Sequence, residues 1–127
     1  MTLDLFTLSE GAYNHNGHLT IVSTIDFINN DSFPYRMPSL GIAVRMEFLA
    51  REQGKHLMVI QCTDEFGNKS LDMNIDMDVP EAEHNTIICL ASNVNGVQFQ
   101  HPGIYTFTVF VDNQAYGKCK LNLIKKS

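Results

Sequence analysis

Over residues 70–79 the chain reads SLDMNIDMDV, and apolar and polar side chains alternate without a break. Leu71, Met73, Ile75, Met77 and Val79 fall on one face, with Ser70, Asp72, Asn74, Asp76 and Asp78 on the other. A repeat of two marks an extended strand half-buried against a core, because a helical repeat would scatter both sets around the axis. Ile42, Val44, Met46 and Phe48 repeat the pattern with Arg45 and Glu47 opposed, as do Tyr105, Phe107, Val109 and Val111 against Thr106 and Thr108. Leu19, Ile21, Ile25 and Phe27 form a further stripe, interrupted at Ser23.

Turn signals separate these runs: Asn14-His-Asn-Gly17, the Pro-bearing stretch 29–38, Arg51-Glu-Gln-Gly54, Asp64-Glu-Phe-Gly-Asn68 and Asp112-Asn-Gln-Ala115. Asn, Asp and Gly tolerate the left-handed backbone of tight turns, so short links of this composition favour hairpins over parallel crossovers. Strands are expected near 3–8, 18–28, 40–50, 55–63, 69–79, 86–92, 104–111 and 116–124. Only Pro80-Glu-Ala-Glu-His84 suggests a helical turn. The reading is all-β: an antiparallel two-sheet sandwich of about eight strands with little or no helix. A length of 127 residues fits one domain over 1–127 with a core of its own.

The stretch from Phe99 to Asp112, FQHPGIYTFTVFVD, carries the most specific pattern. A Pro102-Gly103 turn leading into Tyr105-x-Phe107-x-Val109 resembles the tyrosine corner of immunoglobulin-like sandwiches, where a buried Tyr near a strand start sends its hydroxyl back to upstream backbone. That resemblance implies a structural role for Pro102, Gly103 and Tyr105. Antibody domains are a poorer match, since there is no Trp and Cys89 and Cys119 lie outside the paired positions. Taken with Gly11 to Tyr13, Gly17 to Val22 and Pro34, the same segment is similar to a bacterial family of small stand-alone β-sandwich proteins, a domain of unknown function. That resemblance implies a sandwich fold and a bacterial cytoplasmic setting, and it brings no catalytic residue.

Composition narrows the partners. Nine basic residues against fourteen acidic ones give a net charge of −5. Nucleic acid and anionic membranes need a concentrated basic face, so neither is expected as a partner. Apolar runs such as Leu57-Met-Val-Ile60 are far shorter than a membrane helix requires. The opening MTLDLFTLSEG has no basic leader followed by an apolar run, which predicts a cytoplasmic protein. Cys62, Cys89 and Cys119 are odd in number and lack any CxxC spacing, so they are expected as reduced core thiols.

Candidate chemistry is sparse. His15 and His18 lie three apart across a turn, but no carboxylate pair or further imidazole in sequence completes a metal-ligand set. His101 precedes Pro102 and is expected to serve the turn. Asp72, Asp76 and Asp78 share a strand face, where alternate side chains stand ~7 Å apart, too far for all three to gather one calcium ion. No GxSxG elbow or phosphate loop occurs. No catalytic residue, metal or cofactor is expected. Phe33, Tyr35 and Met37, set among polar residues, are candidates for binding a partner or flat ligand, the alternative being that they cap the open end of the core. Ile28, Leu49, Phe110 and Ile124 occupy nominally outward positions. The expectation is a non-enzymatic module acting through a protein partner or as a homo-oligomer. Two alternatives stay open: a small-molecule or glycan binder using Phe33 and Tyr35, and a metal-dependent enzyme using His15, His18 or His101.

Overall fold

Residues 1–126 are described by the computed structural model. Among them nine strands form: β1 (Thr2–His15), β2 (His18–Thr24), β3 (Phe27–Asn30), β4 (Tyr35–Phe48), β5 (Gly54–Thr63), β6 (Lys69–Val79), β7 (Thr86–Phe99), β8 (Gly103–Val111) and β9 (Gln114–Lys125). Their order is β2-β1-β4-β7 in one sheet and β3-β9-β8-β5-β6 in the other. The only helical element described is a single 3₁₀ turn at Ala50–Glu52, while 80–85, where a helical turn was expected, is irregular.

The alternating stripes meet between the sheets. Met58 sits between Ile75 and Val111, Ile60 between Met73 and Val109, and Cys62 between Leu71 and Phe107, so three neighbouring strands present their apolar sets in step. Ile42, Val44, Met46 and Phe48 of β4 face them, all at 1% exposure or less. Strand β6 begins and ends where the alternation does, and its Asp72, Asp76 and Asp78 are exposed on the outer face.

The topology follows the immunoglobulin plan. Strands β1, β4 and β7 take the places of the first, second and fifth strands in one sheet, and β5, β8 and β9 those of the third, sixth and seventh in the other, with β6 added beside β5. The strand that flanks the fifth in constant-type domains has no counterpart among the described residues, because residues 80–85 lead straight from β6 to β7.

Two departures from the sequence reading concern the 18–28 stripe. It is two strands, not one: Ser23 adopts φ 52° and the chain turns at 25–26. Ile25 and Ile28 then pack against the core, whereas Phe27 is 54% exposed. Strand β3 joins the second sheet parallel to β9, so the sandwich is not wholly antiparallel.

Strand β1 is longer than its apolar pattern. Residues 2–9 pair with β4, and residues 9–15 pair with β2 through the Asn16-Gly17 turn, whose two positive φ values suit a tight hairpin. The hairpin passes over the outer face of its own sheet. A Cβ on Gly41 would lie 2.8 Å from the Gly11 carbonyl carbon and 2.9 Å from the Ala12 nitrogen. Small residues make this approach possible: Ala12 and Ala43 are 1% and 0% exposed although Ala43 points away from the main core.

Candidate functional site

At one end of the sandwich the Asp112-Asn113 turn between β8 and β9 has positive φ at both residues. This turn sets the Asp112 carboxylate over β5, where Oδ1 accepts from Leu57 N at 3.0 Å and Oδ2 meets His56 Nδ1 at 2.5 Å. His56 Nε2 lies 2.6 Å from the Glu52 carbonyl oxygen. Both ring nitrogens therefore face acceptors, an arrangement that only imidazolium satisfies. The Asp112 bond, then the Glu52 carbonyl, raise the His56 pKa, and the same His56 bond, with Leu57 N, holds the Asp112 carboxyl below its ordinary value. The pair borders an open cavity of about 520 Å³ that also meets Lys55, Asp76 and Asp78. With both nitrogens engaged, His56 presents no free lone pair there to act as a base.

The β5–β6 turn and the β7–β8 connection meet in a second cluster. Tyr105, 1% exposed, donates its hydroxyl to the His101 carbonyl at 2.6 Å and accepts from His101 N at 3.3 Å. Its ring meets Phe99 edge-on at 4.8 Å. His101 Nδ1 lies 2.9 Å from the Pro102 carbonyl oxygen and Nε2 3.2 Å from Asp64 Oδ2, and these two acceptors, in that order, raise its pKa. Burial pushes the Asp64 carboxyl up, but hydrogen bonds from Asn68, His101 and Phe66 together hold it below its ordinary value. Glu65 Oε1 accepts from Ile104 N at 2.8 Å, beside Gly103, whose φ of 141° suits glycine. The cluster ties two connections together.

The residues singled out for binding do not converge. Met37 is not a loop residue: it lies on β4, buried at 7% in the core. Phe33 and Tyr35 are half-buried and pack against the same core, so they close its end and do not project from it. Pro38 had suggested a loop, yet β4 runs through it, because β1 pairs with β4 only from Gly41 onward and the missing amide breaks no ladder bond on that side. His15 and His18 face each other at the exposed hairpin tip, separate from His101. Of the nominally outward apolar residues, Ile28, Leu49 and Phe110 are half-buried and only Ile124 is exposed. Cys62 is buried and Cys119 packs against the core, with burial pushing both thiols up to about 12. Cys89 departs from the expected core position: it pairs with Arg45 on the outer face, beside the hairpin.

One flank of the sandwich is unlike the rest. Strands β6 and β7 are the edges of their sheets on the same side, joined by residues 80–85. Next to this link Met77 and Val79 are buried, but further along β6 Leu71, Met73 and Ile75 are only half-buried. Across from them, Ile88, Leu90 and Val94 of β7 also pack on the core while remaining partly open to solvent. The two edges differ in charge. Strand β6 carries three aspartates, whereas the 14 residues of β7, TIICLASNVNGVQF, include no charged side chain. Native edges are commonly guarded by charge, proline or a bulge. On β7 the guards are Gly96, at φ 72° with the Arg36 guanidinium over it, and Asn14, whose Nδ2 donates to the Cys89 carbonyl at 2.8 Å. No sequence signal marked this flank, since half-burial on an inward stripe looks the same in sequence as full burial.

The strands and their order define an all-β two-sheet sandwich. The chain belongs to DUF6941, a family of unknown function, which it matches over residues 4–124. No curated protein matches it. Among solved structures it is similar to the alkylpurine DNA glycosylase AlkC of Pseudomonas fluorescens, bound to DNA containing an abasic-site analogue, with 10% identity over 97% of this chain and a TM-score of 0.53. The chain spans 30% of that glycosylase's length, and the likeness is one of fold. A β-glucosidase from Listeria innocua in complex with isofagomine matches at 9% identity and TM-score 0.49, over 94% of this chain and 16% of its own. An immunoglobulin-like protein from Pseudomonas aeruginosa matches at 8% identity and TM-score 0.39, over 96% of this chain and 94% of its own.

Proposed function

We propose that this protein is a non-enzymatic module, working in the bacterial cytoplasm, that acts by contact with another protein through the β6–β7 flank. The observation that carries the reading is the pair of facing half-buried stripes, Leu71, Met73 and Ile75 against Ile88, Leu90 and Val94. Apolar groups left partly wet along two sheet edges gain roughly 25 cal/mol for each Å² covered, and a partner laid along the flank supplies that cover. The histidines support the non-enzymatic part, because His56 and His101 each spend both ring nitrogens on structural acceptors.

A photo-reactive residue placed at Ile87, 49% exposed on β7, tests the flank in living cells against the same residue at Phe66, 77% exposed in the β5–β6 turn. Protein adducts from position 87 that are absent from position 66 are the expected result. Adducts from neither position, or equally from both, overturn the reading.

A further inference from the structure

We infer that the occupant of this flank is a second copy of the chain, which adds its own β7 antiparallel to β7 across a two-fold axis. The inference rests on the proposed contact role of the flank and names its partner. Three features point to it.

The first is topological. In constant-type immunoglobulin sandwiches a fourth strand flanks the fifth, and among the described residues no such strand covers β7. Strand addition restores a neighbour at that position, and it satisfies backbone groups that the edge otherwise leaves to water.

The second is electrostatic. Each copy carries −5, so two copies repel unless they meet where charge is low. Along β6, Asp72, Asp76 and Asp78 stand exposed on the outer face, and self-pairing there would bring like charges together. Strand β7 has no charge on any residue from Thr86 to Phe99. A two-fold contact places the same patch on both partners, so the patch must tolerate itself, and an uncharged strand does.

The third is size. Gly96 and the Arg36 guanidinium close one end of β7, leaving residues 86–95 as the pairing stretch. Within it the Cys89 carbonyl already accepts from Asn14 Nδ2 at 2.8 Å. Ten residues of strand run ~33 Å. That exceeds the usual ~5–6 residues of a paired strand, so the stretch is long enough to add to its twin.

Sedimentation of the purified chain across a concentration series, paired with amide hydrogen exchange at dilute and concentrated ends, tests the assignment. A monomer–dimer equilibrium is expected, with β7 amides gaining protection only as dimer forms. Ile87→Lys combined with Asn95→Lys charges two exposed β7 positions without touching the core, and should weaken the dimer at least about tenfold with an unchanged unfolding midpoint in dilute solution. Leu57→Lys combined with Phe66→Lys adds the same charge at exposed sites elsewhere and should leave the dimer intact. A chain that stays monomeric throughout overturns the second copy as partner while adducts from position 87 still uphold the contact role. A dimer indifferent to the β7 lysines, or equally weakened by the control pair, overturns strand addition.

Discussion

Asn93 and Ala12 are paired as if the side chain were a neighbouring strand. The Asn93 amide accepts from Ala12 N at 3.0 Å through Oδ1 and donates to the Ala12 carbonyl at 2.8 Å through Nδ2. One side chain on β7 thereby fastens the β1–β2 hairpin to the outer face of its own sheet. Asn93→Ala leaves both Ala12 backbone groups without that partner, and should lower stability by about 1–3 kcal/mol. Faster hydrogen exchange at the Ala12 amide, out of proportion to the global loss, distinguishes a loosened hairpin from a general weakening.

Gly41 should tolerate no side chain. A Cβ there would lie 2.8 Å from the Gly11 carbonyl carbon and 2.9 Å from Ala12 N, both backbone atoms that can yield only by lifting the hairpin. Gly41→Ala should cost about 1–3 kcal/mol by overpacking, whereas the φ of Gly41 itself poses no obstacle to alanine. If the variant melts like the parent, the hairpin does not sit on the sheet as described.

The His56–Asp112 pair makes stability depend on pH in two directions. His56 has a raised pKa in the fold, so its contribution is full below the ordinary histidine value of ~6.5 and fades as pH climbs through the raised one. Asp112 has a lowered pKa, so its contribution is present above the ordinary carboxylate value and is lost as pH falls through the lowered one. The Asp112 side chain is 51% exposed, so screening keeps the pair's contribution near ~1 kcal/mol. His56→Gln should melt below the parent at pH 6, and the gap should narrow as pH rises past the His56 titration. A gap of constant size from pH 6 to 9 would refute an imidazolium at this position.

Tyr105→Phe keeps the ring against Phe99 and removes the hydroxyl that bonds to His101 on both sides. A loss of about 1 kcal/mol in denaturant unfolding is expected, with no change in the slope of the transition.

Ile75→Ala and Asp76→Asn probe opposite faces of β6. Ile75 is only half-buried, which places its truncation toward the low end of the ~2–5 kcal/mol range for buried aliphatic deletions, while exposed Asp76 should change stability by no more than about 0.5 kcal/mol. A larger effect at Asp76 than at Ile75 would reverse the faces of the strand, because the side-chain period is two.

What the chain discloses depends on whether the deciding forces are local. Strand β6 is legible to the residue because each aspartate alternates with an apolar neighbour, and nothing distant needs to be known. Strand β7 is legible only as far as residue 92; Asn93, Asn95 and Gly96 carry turn-like composition, yet thirteen pairings with β4, broken only at Gly96 opposite Pro38, carry the strand on through them. Asn93 is polar for the hairpin's sake, a reason that lies 81 residues away. His56 shares the inward phase of Met58, Ile60 and Cys62, and that phase, together with an aspartate in a later turn, was the available hint of the bridge. Phe33 and Tyr35 stand among polar neighbours in sequence, but how far an aromatic ring is covered is decided by what packs beneath it, and here the core leaves both half-buried.

The hairpin that crosses its own sheet also constrains the order in which the molecule can be built. Its docking ground consists of Gly41 on β4 and Asn93 on β7, and these lie side by side because Gly41 pairs with Asn93 in the ladder. Until that pairing exists, the hairpin has no surface to land on, and closing a loop of this length carries an entropic cost that local contacts cannot offset. The hairpin therefore waits, folded back on itself at Asn16-Gly17 or not at all, until β4 and β7 have paired as far as Gly41 and Asn93. A topology of this kind belongs among slow folders, with the β1–β2 hairpin among the last parts to be secured.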